Sequence, residues 1–228
     1  MGVDESSGIA ATLPAITGQG QLRVGGLTPL TTVDYPGELA AVVFCQGCPR
    51  HCRYCHNAHL LPSVAVGLIP WAEVRRFLEA RRGLLDAVVF SGGEPTLQPS
   101  LMGAMEQVRA LGFKIGLHTS GAYPARLKKL LPLLNWVGLD IKALPDDYPA
   151  ITGVPGSGER AWASLRLLLA AGVPLQVRTT LMPGQDGPAE LAALRECLAN
   201  LGVHEHRIQP CRTGHTLDPT LAAPARGS

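Results

Sequence analysis

Apolar positions along this chain switch repeatedly between two periods. The run LAAVVF (39–44) is unbroken, as a strand buried on both faces requires. Further on, PWAEVRRFLEARRG puts Trp71, Val74, Phe77 and Leu78 on one helical face, with Pro70 at its start and Gly83 as its stop. The alternation continues with a strand at 87–91 and a helix opened by Ser100 that turns Leu101, Met105, Val108 and Leu111 inward and ends at Gly112. Strands follow at 114–118, 136–142, 174–181 and 206–211. Between them lie a short helix broken near Pro132, an apolar-striped helix stopped by Gly172, and a helix carrying Leu191, Leu194, Leu198 and Leu201.

Six strands separated by five helical segments predict an α/β fold with a parallel sheet and right-handed crossovers. Six βα units fall short of eight, so the expectation is an open, partial (βα)6 barrel, with a doubly wound sheet as the competing architecture. In either arrangement the working groups belong at the C-terminal ends of the strands. Ahead of the first strand, GLTPLTTVDYPGE carries the turn signal Asp34-Tyr35-Pro36-Gly37 and reads as a short N-terminal hairpin or edge extension.

Composition narrows the class. At 228 residues, 46% apolar and 17% charged, the chain fits one domain with a full core. Residues 22–212 are assigned to it, with 1–21 a flexible leader and 213–228 a C-terminal tail. The longest apolar run, Leu39 to Cys45, is too short to cross a bilayer, and a formal charge of +2 gives no case for nucleic acid or a membrane surface. MGVDES fits a loose acylation pattern, but no apolar region or basic patch follows to support it. Without a leader for export, a cytoplasmic location is expected, where six cysteines point to metal or redox work instead of disulfides. Cys197, on the face of Leu194 and Leu201, reads as a buried core thiol, and Cys211 stands apart. His204, His206 and His215 read as surface positions.

Four cysteines fall in CQGCPRHCRYCHN (45–57). Four thiolates could close a tetrahedral zinc site, but only three residues separate Cys48 from Cys52, where zinc ribbons use a dozen or more, and Cys45 belongs to the strand. The remaining three, Cys48-x3-Cys52-x2-Cys55, can hold three irons of a 4Fe–4S cube and leave the fourth open to a substrate. This spacing after the first strand of a βα-alternating chain resembles the radical S-adenosylmethionine superfamily. FSGGEP (90–95) resembles that family's Gly-Gly-Glu-Pro segment, and Tyr54 matches its aromatic near the adenine. The resemblance implies that Gly92 and Gly93 allow a close backbone approach and that Glu94 accepts hydrogen bonds from the methionine ammonium.

Within the superfamily, CxxxCxxCHN, TTVDYPGE and the DIK at 140–142 are similar to glycyl radical enzyme activases, over residues 27 to about 185. The group most alike activates anaerobic ribonucleoside-triphosphate reductase. This likeness implies cofactor contacts from Thr119, Ser120, Asp140, Lys142 and Arg178, the last five residues before Pro183, and a 4Fe–4S cluster with S-adenosylmethionine as cofactors. It implies a glycyl radical enzyme as partner, flavodoxin or ferredoxin as reductant, and no catalytic acid or base among the seven histidines, of which His56, His59 and His118 lie near the site. Two departures count. His118 stands where pyruvate formate-lyase activase has an acid that helps bind a cation, and QPCRTGH lacks that protein's Pro-Tyr-His. The alternatives are a radical enzyme acting on a small molecule, of the deazaguanine-forming kind, another glycyl radical enzyme activase such as that of pyruvate formate-lyase, and a non-catalytic iron or zinc protein using all four cysteines.

Overall fold

The computed structural model describes residues 20–182, 187–212, 214 and 216–221. Nearly all of the expected leader, Pro183, His215 and most of the expected tail lie outside the described residues. Seven strands form one sheet in sequence order: β1 (Val24–Thr31), β2 (Ala40–Cys45), β3 (Ala87–Gly92), β4 (Lys114–Thr119), β5 (Trp136–Asp140), β6 (Leu175–Leu181) and β7 (His206–Pro210). β1 pairs antiparallel with β2, and every later pair is parallel. The partial barrel with an N-terminal hairpin is therefore the observed architecture, with β1 and β7 as its two edges.

The strand alternation sorts side chains into two cores. Ala41, Val43 and Cys45 of β2, Val88 and Phe90 of β3, Ile115 and Leu117 of β4, and Val137 and Leu139 of β5 face the helices. Against them pack α1 (Trp71–Glu79), α2 (Leu101–Ala110), α3 (Pro124–Leu130), α5 (Ser157–Ala171) and α6 (Pro188–Asn200) through stripes such as Leu101, Met105 and Val108. Each fully buried Leu or Val contributes about 1.5–3 kcal/mol of transfer free energy. The opposite positions, Ala40, Val42, Ala87, Val89 and Trp136, form a smaller core inside the barrel with Tyr35.

Tyr35 reaches that core from the β1–β2 turn, stacking on Trp136 with ring centroids 5.2 Å apart. Gly116 makes room for it, since a Cβ there would come within 3.0 Å of the Tyr35 ring and of Val89. This aromatic plug closes the N-terminal end of the barrel and leaves the strand C-termini open.

Several expectations need correction. β5 ends at Asp140 because the Lys142 backbone N–H leaves the ladder and donates to Tyr148 Oη at 2.9 Å. Tyr148 belongs to a short helix, α4 (Tyr148–Thr152), ended by Gly153 at φ 68° and too short to show a period. Ser100 precedes α2 in helical conformation and makes no side-chain cap bond. Cys197 is exposed, because α6 buries Leu194 and Leu198 and the thiol lies one step off that stripe. His206 is half-buried and bonds Thr179 Oγ1 at 2.9 Å.

Candidate active site

A cavity of about 630 Å³ opens at the C-terminal ends of the strands. Cys48, Cys52 and Cys55 line one wall; Cys45 does not, being fully buried in the helix-side core, where burial holds its thiol protonated far above the usual range. A four-thiolate site would require Cys45 to turn out of that core. Among the described residues no three His, Cys, Asp or Glu side chains converge on a single ion.

The cysteine loop is held by backbone bonds on several sides. Gly47 and Cys48 N–H groups donate to Leu60 and Leu61 carbonyls at 2.8 and 3.0 Å, and His51 and Arg53 donate to Thr152 and Ile151, both at 3.0 Å. From the other side, Leu217 and Asp218 N–H groups donate to Cys55 and Arg53 carbonyls at 3.1 and 2.9 Å. Burial pushes the Cys48 thiol up to about 12 against an opposing bond from the Arg50 backbone N–H, and burial raises Cys55 against the N–H of Asn57. The loop alone therefore carries thiols, and metal binding must displace their protons. Three thiols on one wall of a cavity whose other walls are polar fit a cube bound through three irons.

The other walls come from successive strand ends. Gly92 has φ 111°, and a Cβ on Gly93 would lie 2.4 Å from the Gly47 carbonyl oxygen. These glycines let β3 pass directly beneath the cysteine loop, where Gly93 and Glu94 N–H groups donate to Cys45 and Gly47 carbonyls, both at 2.9 Å. Both glycines line the cavity.

The Glu94 side chain is fully buried and does not line the cavity. One oxygen accepts from Thr96 N–H at 3.1 Å, Thr96 Oγ1 at 2.5 Å and Thr119 Oγ1 at 2.7 Å; the other accepts from Ser120 N–H at 2.8 Å and Ser120 Oγ at 2.5 Å. With both oxygens committed, the carboxylate acts as a strut that places Thr119 and Ser120, which do line the cavity.

Asp140 and Arg178 are direct neighbours across β5 and β6, with Arg178 Nη2 2.9 Å and Nε 3.0 Å from Asp140 Oδ1. Lys142 Nζ lies 4.0 Å from Asp140 and donates to Tyr54 Oη at 2.8 Å, 4.9 Å above the Tyr54 ring. Burial works against both charges. The neighbouring cations nevertheless bring Asp140 below the usual carboxylate range, and Tyr54, Cys52 and Asp140 hold Lys142 well above the lysine range. His118 is buried between Arg178, Ser91 and the Asp34 carbonyl, 2.8 Å from Nε2. Burial first, and then the Arg178 charge, lower its pKa to about 4, so it is neutral. Gly138 opposite leaves space for His118 and Arg178, since a Cβ there would lie 3.0 and 3.1 Å from them.

His56 lines the cavity as well, whereas His59 contributes only its carbonyl, which accepts from Gln46 at 2.9 Å. Sequence reasoning missed Arg50, Asp34, Asn57, Gln209 and Arg212, all on the cavity wall. It also missed that Cys211 and Leu221 pack with Cys52, Tyr54, Ile151 and Met182. Polarity alone does not separate such positions from ordinary loop residues.

Residues 42–195 match the model of the radical SAM superfamily. The chain belongs to that superfamily. Its cofactors are accordingly a 4Fe–4S cluster and S-adenosylmethionine, and it is an enzyme. The chain is 30% identical over 167 residues to a Methanocaldococcus jannaschii protein named for glycyl-radical enzyme activation, covering 70% of this chain and 68% of that one. It is 31% identical to the pyruvate formate-lyase-activating enzyme of Streptococcus mutans, covering 84% and 79%. The 7-carboxy-7-deazaguanine synthase of Thermococcus kodakarensis is 30% identical, covering 55% and 57%. The first two of these names, with the family match, place the chain in the activase branch. Among solved structures, Streptococcus suis SuiB with its precursor peptide superposes with a TM-score of 0.62 at 15% identity, over 77% of this chain. That likeness shows the fold. The chain spans about 40% of the length of that structure.

Proposed function

We propose that this radical SAM enzyme generates a glycyl radical on a large partner enzyme. The observation that carries the reading is the cavity itself, with three thiols on one wall and the Asp140–Arg178–Lys142 group on another. A volume near 630 Å³ suits a ligand the size of S-adenosylmethionine. In this reading Cys48, Cys52 and Cys55 hold the cluster. Arg178 and Lys142 receive the methionine carboxylate, the Gly92–Gly93 backbone and the Thr119 and Ser120 positions line the cofactor, and Tyr54 packs beside it under Lys142. When bound, the cluster supplies one electron that cleaves S-adenosylmethionine to methionine and a 5′-deoxyadenosyl radical able to take a hydrogen atom from a glycine Cα.

The protein's share is to bind, orient and exclude water, and no side chain has to move a proton. Neutral His118 fits this role: it fills space and orients Arg178 without adding charge.

The partner is proposed to be anaerobic ribonucleoside-triphosphate reductase, the donor flavodoxin or ferredoxin, and the location cytoplasmic. Among the described residues no helix is long and apolar enough to cross a membrane. Pyruvate formate-lyase is the alternative partner, favoured by the Streptococcus mutans relative. A small-molecule reaction is the second reading, favoured by the synthase match, which covers a smaller share of this chain than either activase.

Anaerobic reconstitution followed by reduction and S-adenosylmethionine tests the proposal. Wild type and Cys45→Ala should release 5′-deoxyadenosine and Cys52→Ala should not. With each candidate glycyl radical enzyme added, a carbon-centred radical signal should appear on the true partner. Deoxyadenosine without a protein radical on either candidate, and with a modified small molecule instead, would sink the activase reading.

A further inference from the structure

Arg50 lies between Cys48 and Cys52, and among the described residues it is the largest side chain almost fully withdrawn from solvent. The side chain ends in a guanidinium cation, a planar fork of five N–H donors with no acceptor. Nη1 donates to the Ser120 carbonyl at 2.8 Å and Nη2 to the Ser157 carbonyl at 3.1 Å, and the group lies 5.6 Å above the Tyr148 ring. These partners satisfy donors with partial charges only. Among the described residues no carboxylate comes within 4.0 Å of Arg50, whereas Arg178 and Lys142, two further cations of the cavity, both reach Asp140. A fully buried cation without an anion is a large electrostatic debt in a folded chain.

The missing charge has a source on the same loop. Arg50 lines the cavity together with Cys48, Cys52 and Cys55, and in sequence it stands two residues from both Cys48 and Cys52. We propose that Arg50 is the built-in counter-cation of the cluster held by Cys48, Cys52 and Cys55. It offsets the thiolate charge that appears on loading, and it favours the uptake of one electron from an external one-electron donor. The inference rests on the cysteine assignment made above. It differs from a purely mechanical role, in which the same fork would only tie the loop to the end of β4 and the start of α5.

Charge and mechanics separate in two variants. Arg50→Met keeps length without charge, and Arg50→Lys keeps charge without the fork. The readouts are the midpoint potential of the reconstituted proteins, followed anaerobically by electron paramagnetic resonance, and the melting of the cluster-free proteins. Arg50→Met should disfavour reduction by about tenfold, equivalent to about 59 mV for one electron, while Arg50→Lys stays within about threefold of wild type. If Arg50→Met cannot be loaded although its cluster-free form melts like wild type, and Arg50→Lys loads, the charge role is again supported.

Equal potentials in all three proteins would overturn the proposal in favour of a strut. So would equal shifts in both variants, or loss of loading in both with lowered melting. A wild type that takes up no cluster, or a Cys52→Ala protein that keeps one, would overturn the cysteine assignment itself. That failure is visible before any Arg50 variant is compared.

Discussion

Single residues at this site owe their chemistry to burial more than to type. His118 is the clearest case, since burial and Arg178 hold it neutral with a pKa near 4, while an unfolded chain titrates near 6.5. The unfolded state therefore binds more protons between these values, so stability present above pH 6.5 is lost as pH falls toward 4. The loss amounts to about 3 kcal/mol at most. Urea midpoints of the cluster-free protein should drop across this window, and His118→Gln should flatten the drop; parallel slopes would show that His118 does not cause it. Asp140 acts lower, since its depressed pKa moves its contribution to pH values under the ordinary aspartate range. That Cys48, Cys52, Cys55, Lys142 and Arg178 share one cavity could be expected from spacing and motif resemblance. The bonding of Glu94 could not, because three hydroxyl groups and two backbone N–H groups had to fold around its carboxylate before it became a strut.

At the scale of elements, the largest surprise is the C-terminal segment. Residues 216–221, part of the expected tail, return to the cysteine loop, with Arg53 and Asp218 paired at 2.6 Å and Leu221 buried against Tyr54 and Cys52. A chain ending after Arg212 should fold, yet surrender its iron to a chelator several-fold faster than the full chain, measured as bleaching of the loaded protein. Leu221→Ala should show a smaller effect in the same direction, in line with the roughly 2–5 kcal/mol that removal of a buried leucine costs. Unchanged bleaching in both would show that the segment does not guard the loop. The six parallel strands and most of the longer helices, by contrast, were legible within one or two residues, because a two-faced core writes itself into the period of apolar positions; α1 is the exception, ending at Glu79, short of the expected stop at Gly83. α4 and the C-terminal segment are too short to leave such a trace.

For the whole molecule, the partial barrel sets one end against the other. Tyr35 and Trp136 seal the N-terminal end, and the strand C-termini hold the cavity. A ligand that bridges the cysteine loop and the β4–β6 ends should stabilise the entire fold by mass action, by about 2.7 kcal/mol at a hundredfold excess over Kd. Loaded wild type should melt higher with S-adenosylmethionine than without it. Cys52→Ala, lacking the cluster, should show a much smaller rise; equal rises would mean that the ligand does not need the cysteine wall.

The sequence by itself determined the βα order, the open barrel and the three-cysteine loop, because periodicity and spacing are local properties of a chain. Only the tertiary structure decided that Cys45 faces away from its three neighbours, that Glu94 supports the cavity from below, and that Arg50 is buried with no carboxylate in reach among the described residues. Each of these depends on which groups from distant segments meet it in three dimensions. Burial and charge compensation are set by those encounters, which no short stretch of sequence records.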